Sequence, residues 1–170
     1  MPSSLSRLAE APREQEQPLL LEAFLPYRIS VLATEISQGL AQIYGDRFGI
    51  STPEWRVMAT LGQFTMLTAR DIGEHARMHK TTVSRAVAAL EKRRLLARRI
   101  NRADMREAHL ILTEAGRAIY GDIVPLAQRF EEVLCAGLSL EDRARLHDLM
   151  QRLSAGVART GGETHPQGER

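Results

Sequence analysis

The sequence predicts a mainly α-helical protein with one small β element. Three observations carry this reading. Apolar residues recur at steps of three and four through most of residues 19–158, the spacing of one face of a helix. Helix-start signals, a Ser or Thr with acids in the turn that follows, stand at residues 51–54, 68–71, 113–114 and 139–142. The period changes to strand-like alternation in a single place, residues 96–112. A chain of 170 residues is long enough for one compact core with helical extensions and too short for a multidomain enzyme. Its composition, 44% hydrophobic and 26% charged, is ordinary for a globular protein, and no apolar run approaches the roughly 18 residues of a membrane span.

Residues 1–18 are rich in Pro, Gln, Glu and Ser without periodicity, so they read as a disordered arm, and the stretch from about residue 161 reads the same way. Leu25, Ile29, Leu32, Ile36, Leu40 and Ile43 draw one apolar stripe along a helix over about residues 26–45, with Pro26 in its first turn. Leu19, Leu20, Leu21 and Phe24 ahead of it suggest an extra turn that packs on a partner. Ser51-Thr52-Pro53-Glu54 opens a second helix, which carries Trp55, Val57, Met58 and Leu61 and stops near Gly62. Thr68 to Asp71 opens a short third helix, ending near Ala76. A fourth begins at His79 or Lys80 and runs through Val83, Ala86, Val87 and Leu90 to about Arg94. Residues 96–101 and 107–112 form two short strands with residues 102–105 as the hairpin tip. Thr113 caps a helix carrying Ile119, Ile123, Leu126, Phe130 and Leu134, in which Pro125 predicts a kink. The last helix starts at Ser139 and presents Leu146, Leu149, Met150, Leu153 and Val157.

The net charge of +2 is uneven along the chain. Residues 68–112 hold eleven Lys/Arg against five Asp/Glu, a net +6, which leaves −4 for the remainder. A basic middle between acidic flanks suits a module that binds a polyanion. The first fifteen residues lack the apolar core of a secretion signal, so the expected location is the cytoplasm. The single cysteine, Cys135, excludes an internal disulfide framework and a Cys-based zinc knuckle, and it reads as a packed, inert thiol.

Helix, short helix, basic helix, two-stranded hairpin is the order of a winged helix-turn-helix, here flanked by long helices. The DNA major groove admits one α-helix, and the N-terminal residues of the second helix of the pair reach the base edges. Those residues are His79, Lys80, Thr81, Thr82, Ser84 and Arg85, which combine base donors, hydroxyls for phosphate and an anion-attracting helix start. The hairpin brings Arg98, Arg99, Arg102 and Arg106 along the DNA backbone and toward the minor groove. Arg98 and Arg99 are adjacent on a strand and point to opposite faces, so both cannot make the same contact.

The stretch from Thr68 to Gly116 resembles the DNA-binding core of the multiple-antibiotic-resistance regulator (MarR) family. The resemblance is carried by Thr82-Val83-Ser84-Arg85, by Leu90-Glu91-Lys92-Arg93, by Asp104-x-Arg106 and by Leu112-Thr113-Glu114-Ala115-Gly116, with the helix start at Ser51 to Val57 in agreement. It spans roughly residues 25–155. It implies a ligand-responsive transcriptional regulator, most often a repressor, that binds a pseudo-palindromic double-stranded DNA operator as a homodimer. It divides the chain into an arm (1–18), an N-terminal dimerisation helix (19–48), a winged helix-turn-helix domain (49–112), C-terminal dimerisation helices (113–158) and a tail (159–170). Asp104 and Arg106 then stabilise the wing, with Arg102 near its tip. The chain departs from the family pattern at Arg94, where a glycine is usual and which predicts a shifted helix end, and at Met105, where a basic residue is common.

The resemblance also implies a small aromatic or anionic effector, such as an aromatic carboxylate, a phenolic or a coenzyme-A thioester, bound between the dimerisation helices and the reading head. Tyr27, Arg28, Tyr44, Trp55, Arg56 and His75 are the residues placed to line that pocket. A metal- or redox-sensing regulator without an organic effector is the alternative. His75 and His79 are four apart, but a turn is predicted between them and no third ligand accompanies them, so no metal and no cofactor is expected. An enzyme is not expected either. The sequence has no glycine-rich phosphate loop and no nucleophile elbow, and the acid pairs Glu131-Glu132 and Glu141-Asp142 are adjacent on helices, where neighbours do not face each other.

Overall fold

The computed structural model describes residues 18–100 and 108–163, and residues 102–106, which include Arg102, Asp104, Met105 and Arg106, lie outside them. Among the described residues six helices and three strands follow in order: α1 (Leu25–Phe48), α2 (Thr52–Phe64), β1 (Met66–Thr68), α3 (Ala69–Ala76), α4 (Lys80–Lys92), β2 (Leu96–Ile100), β3 (Ala108–Leu112), α5 (Glu114–Leu134) and α6 (Leu140–Glu163). The chain divides into two units, residues 1–39 and 40–170. In the first, a turn closed by Phe24 N–H donating to Leu20 O (3.0 Å) leads into α1, whose early residues Leu25, Tyr27, Ile29 and Leu32 are exposed.

The second unit holds the core. Val57, Met58 and Leu61 from α2, Ile72 from α3, Val83, Val87 and Leu90 from α4, Leu110 from β3 and Ile123 from α5 are all buried together. All but Leu110 are apolar positions of the helical periodicity, so the pattern that forms each helix also aims it at the others.

The helices start well and end under strain. Ser51 and Glu54 form a reciprocal capping box, with Ser51 N–H donating to Glu54 Oε2 (2.7 Å) and Glu54 N–H donating to Ser51 Oγ (3.4 Å). Thr68 and Asp71 repeat it for α3, and Ser139 with Asp142 makes the same paired bonds ahead of α6. At the other ends, Thr65, Arg77 and Arg94 adopt positive φ of 66°, 52° and 59°, a conformation that costs a residue with a Cβ. Arg94 does so without the expected glycine. The end of α4 closes with Arg94 N–H on Glu91 O (2.8 Å) and Leu95 N–H on Leu90 O (2.9 Å), a Schellman arrangement with Leu90 and Leu95 both buried.

The sheet has one strand more than the sequence pattern indicates. β3 lies in the middle, antiparallel to both β2 (Leu96 opposite Leu112, Ile100 opposite Ala108) and β1 (Met66 opposite Ile111, Thr68 opposite His109). At three residues, β1 is too short to show an alternation. Helix α5 continues through Pro125; the carbonyl that proline leaves unmatched belongs to Gly121, which is exposed. Helix α6 extends to Glu163, beyond the expected boundary at residue 158. Among the described residues, no helix is long and apolar enough to cross a membrane.

Candidate nucleic-acid interface

Helix α4 divides into two faces. Val83, Ala86, Val87 and Leu90 are buried, while Lys80, Thr81, Ser84, Arg85, Ala88 and Lys92 are exposed along the opposite side and Thr82 is half-buried at its margin. This exposed side is polar or basic except at Ala88. His79 caps the start: its ring Nδ1 accepts the Thr81 amide (3.4 Å) and lies 2.9 Å from Thr81 Oγ1. The cap holds the first amides of α4 in register at the end where the helix dipole is positive, the end that attracts phosphate.

The wing adds Arg98 and Arg99 on β2, both exposed and on opposite faces of the strand. They are not equivalent. Arg98 forms a two-pronged ion pair with Glu91 of α4 (Nε to Oε1 2.7 Å, Nη2 to Oε2 3.1 Å), and this bond holds its guanidinium firmly protonated. Between α3, α4 and the wing runs an open groove of about 680 Å³, walled by Thr68, Arg70, Met78, Lys80, Ser84 and Arg98. Two of its cations already face acids, Arg70 with Glu74 (3.0 Å) and Arg98 with Glu91.

Residues 48–107 match the model of the MarR family. The uncharacterized HTH-type transcriptional regulator YwoH of Bacillus subtilis (strain 168) is 28% identical over 104 residues, which is 61% of this chain and 75% of YwoH. The crystal structure of a MarR-family transcriptional regulator from Silicibacter pomeroyi superposes with a TM-score of 0.70 at 25% identity, covering 81% of this chain and 92% of that one. Over residues 48–107 the chain is similar to the MarR family, and its fold is that of a MarR-family regulator. A lower-identity structure shares the fold: BpsR of Bordetella bronchiseptica, whose DNA binding is regulated by 6-hydroxynicotinic acid, has a TM-score of 0.63 at 22% identity and covers 75% of this chain and 98% of its own. The family and the relatives named here are transcriptional regulators and not enzymes.

The expected effector residues divide between the two units. Tyr27 and Arg28 are exposed near the start of α1, in the N-terminal unit. Tyr44 is fully buried in the other unit, donating its hydroxyl to Thr52 Oγ1 (3.0 Å) and stacking on Trp55 at 5.7 Å and 24°. Trp55 stacks in turn on Tyr120 of α5 at 5.9 Å and 25°. Arg56 is exposed on α2, and His75 packs edge-on against Phe64 (4.7 Å). His75 and His79 have separate partners, and among the described residues no three His, Cys, Asp or Glu gather as a metal site.

Sequence reasoning left out three residues that the fold brings forward. Tyr120 completes the aromatic stack and lies against Gly62, where any Cβ would meet its ring. Ala88 and Lys92 share the exposed side of α4 with Ser84 and Arg85, and counting on by four and eight residues from Ser84 would have found them.

Proposed function

We propose that this chain is a MarR-family regulator, a cytoplasmic repressor that binds a pseudo-palindromic operator as a homodimer and leaves it when a small aromatic or anionic effector binds. The observation that carries the DNA-reading part is the capped, polar and basic side of α4, with Lys80, Thr81, Ser84 and Arg85 over its first two turns and Arg99 on the adjoining wing. Arg85 reads a base edge in the major groove, while Arg99 engages phosphate. A dimer supplies two such helices at one-turn spacing, about 34 Å. The apolar side chains left exposed on α1 and α6 support the dimer, and the regulation of BpsR by an aromatic acid supports the class of effector.

Selection of duplexes from a randomised pool by the purified protein, followed by gel shifts, tests the reading. Arg85→Ala is expected to lose about 1–3 kcal/mol on the selected duplex and relax preference at one position, whereas Arg99→Ala weakens all duplexes alike and lowers the salt slope by about one. Both variants binding like the parent would refute the assignment of the reading residues. A thermal-shift screen of small aromatic acids checks the effector, since a ligand of the folded protein raises its melting temperature.

A further inference from the structure

The end of α4 is tied to its surroundings at three points within five residues, Glu91 to Leu95. The Arg93 guanidinium forks onto the end of α1, with Nη1 donating to Gly49 O and Nη2 to Phe48 O, both at 2.7 Å. Glu91 holds Arg98 of the wing through its two-pronged ion pair. Arg94 O accepts the Thr113 hydroxyl (2.8 Å) and Leu95 O accepts the Thr113 amide (3.1 Å), which fixes the start of α5. Gly116, in the first turn of α5, lies so close to the Leu95 carbonyl that a Cβ there would collide with it.

The carbonyls that Arg93 takes belong to the end of a helix, where the last carbonyls have no partner of their own and the dipole is negative. A planar guanidinium satisfies two at once and fixes direction as well as distance, which a single ammonium cannot do. The reading surface begins at the other end of the same 13-residue helix, at Lys80. A rigid rod held at one end converts a small tilt there into a displacement at the other.

We propose that the last turn of α4 is the joint through which α1 and α5 set the angle of the reading helix, with Arg93 as its positioning residue. The inference rests on the operator-binding reading above. Arg93 does not touch DNA: it acts through the placement of Lys80, Ser84 and Arg85. A shift at the end of α1, whether from an effector or from the dimer contact, therefore reaches the bases through the Arg93 fork.

The test compares Arg93→Gln and Arg93→Lys with the parent on a duplex that the parent selects from a randomised pool, on a scrambled duplex, and across a salt series. Arg93→Gln is expected to bind the selected duplex about tenfold more weakly and the scrambled duplex within about twofold of the parent, with the salt slope unchanged, because no phosphate contact is lost. Arg93→Lys, which keeps the charge and reaches one carbonyl, falls between. Equal weakening on both duplexes with a slope lower by about one means a phosphate contact and overturns the proposal, as does parent-like binding by Arg93→Gln.

Amide hydrogen exchange on the free dimer reads the joint without DNA. Arg93→Gln should speed exchange at Gly49 and Ile50 together with Arg94 and Leu95. Faster exchange at one end alone shows that the ends are not coupled and overturns the proposal. If the parent selects no duplex, the operator reading fails while the exchange result still decides the joint.

Discussion

Helices α4 and α6 share the same kind of apolar spacing and meet opposite fates. In α4, 13 residues long, Val83, Ala86, Val87 and Leu90 are all buried. In α6, 24 residues long, Leu149, Met150 and Leu153 are between 43% and 58% exposed, and no side chain is buried among the described residues. Spacing shows that a helix has an apolar side and leaves open what covers it. The reading head is complete within one chain, whereas α6 presents its apolar side outward, as a helix does when its cover is supplied from elsewhere.

Truncation is the sharpest way to break that contrast. Leu90→Ala removes fully buried methyl groups and should cost about 2–5 kcal/mol in chemical denaturation, whatever the protein concentration. Leu153→Ala should cost under about 1 kcal/mol in a single chain and instead move the concentration dependence of the melting temperature, which sedimentation will read as a weaker dimer. If both cost the same at every dilution, α6 is covered within its own chain and the contrast disappears.

The two regions also differ in the room around their glycines. Gly116→Ala drives a Cβ into the Leu95 carbonyl, a backbone atom that cannot turn aside, and should cost roughly 3 kcal/mol, at the top of the usual range for overpacking. Gly156→Ala on α6 meets nothing closer than an Arg159 nitrogen at 3.9 Å and should raise stability slightly, by about the helix propensity difference of 1 kcal/mol. A thermal melt of the pair ranks the two regions directly.

Strain at the helix ends predicts a gain. Arg94→Gly relieves a left-handed Arg at φ 59° and should stabilise by roughly 0.5–1 kcal/mol, because the steric relief is partly offset by the freer unfolded chain. Parent-like stability of this variant would show that Arg94 rests there without strain.

The smallest effect is acid sensitivity. The Asp71 carboxyl is held below its ordinary value, first by the hydroxyl of Thr68 and then by its amide, and Asp142 is held down in the same way by Ser139. A carboxylate whose folded pKa is depressed contributes stability above its unfolded value, near 3.9, and loses it as the pH falls toward the folded value. Stability should therefore decline below about pH 4, and Asp71→Asn should flatten part of that decline. An unchanged acid limb in the variant would detach the α3 cap from the effect.

The elements of the fold were legible wherever a local signal exists. The starts at Ser51, Thr68 and Thr113 carry their caps in the sequence, and the apolar steps through Val83 to Leu90 mark the buried side of α4. Strand β1 was not legible, because three residues pair with β3 only once the helices have brought them there. The end of α4 was partly legible: Arg94 signals an unusual terminus, but that it would take the left-handed conformation itself follows from Leu95 being pulled into the core beside Leu90. For the proposed interface, the helical spacing of α4 already set Lys80, Ser84 and Arg85 on the side opposite its apolar residues. The ties of Arg93 to Phe48 and Gly49, more than forty residues away, are properties of the assembled chain.

The aromatic stack has a practical side. Trp55 is the chain's single tryptophan, and its indole lies between the rings of Tyr44 and Tyr120, which bring α1 and α5 against α2. Excitation that selects tryptophan therefore addresses one spot, the meeting point of three helices beside the reading head. Any event that slides α1 or α5 alters the packing around that indole, so the protein carries its own optical gauge of movement between these helices.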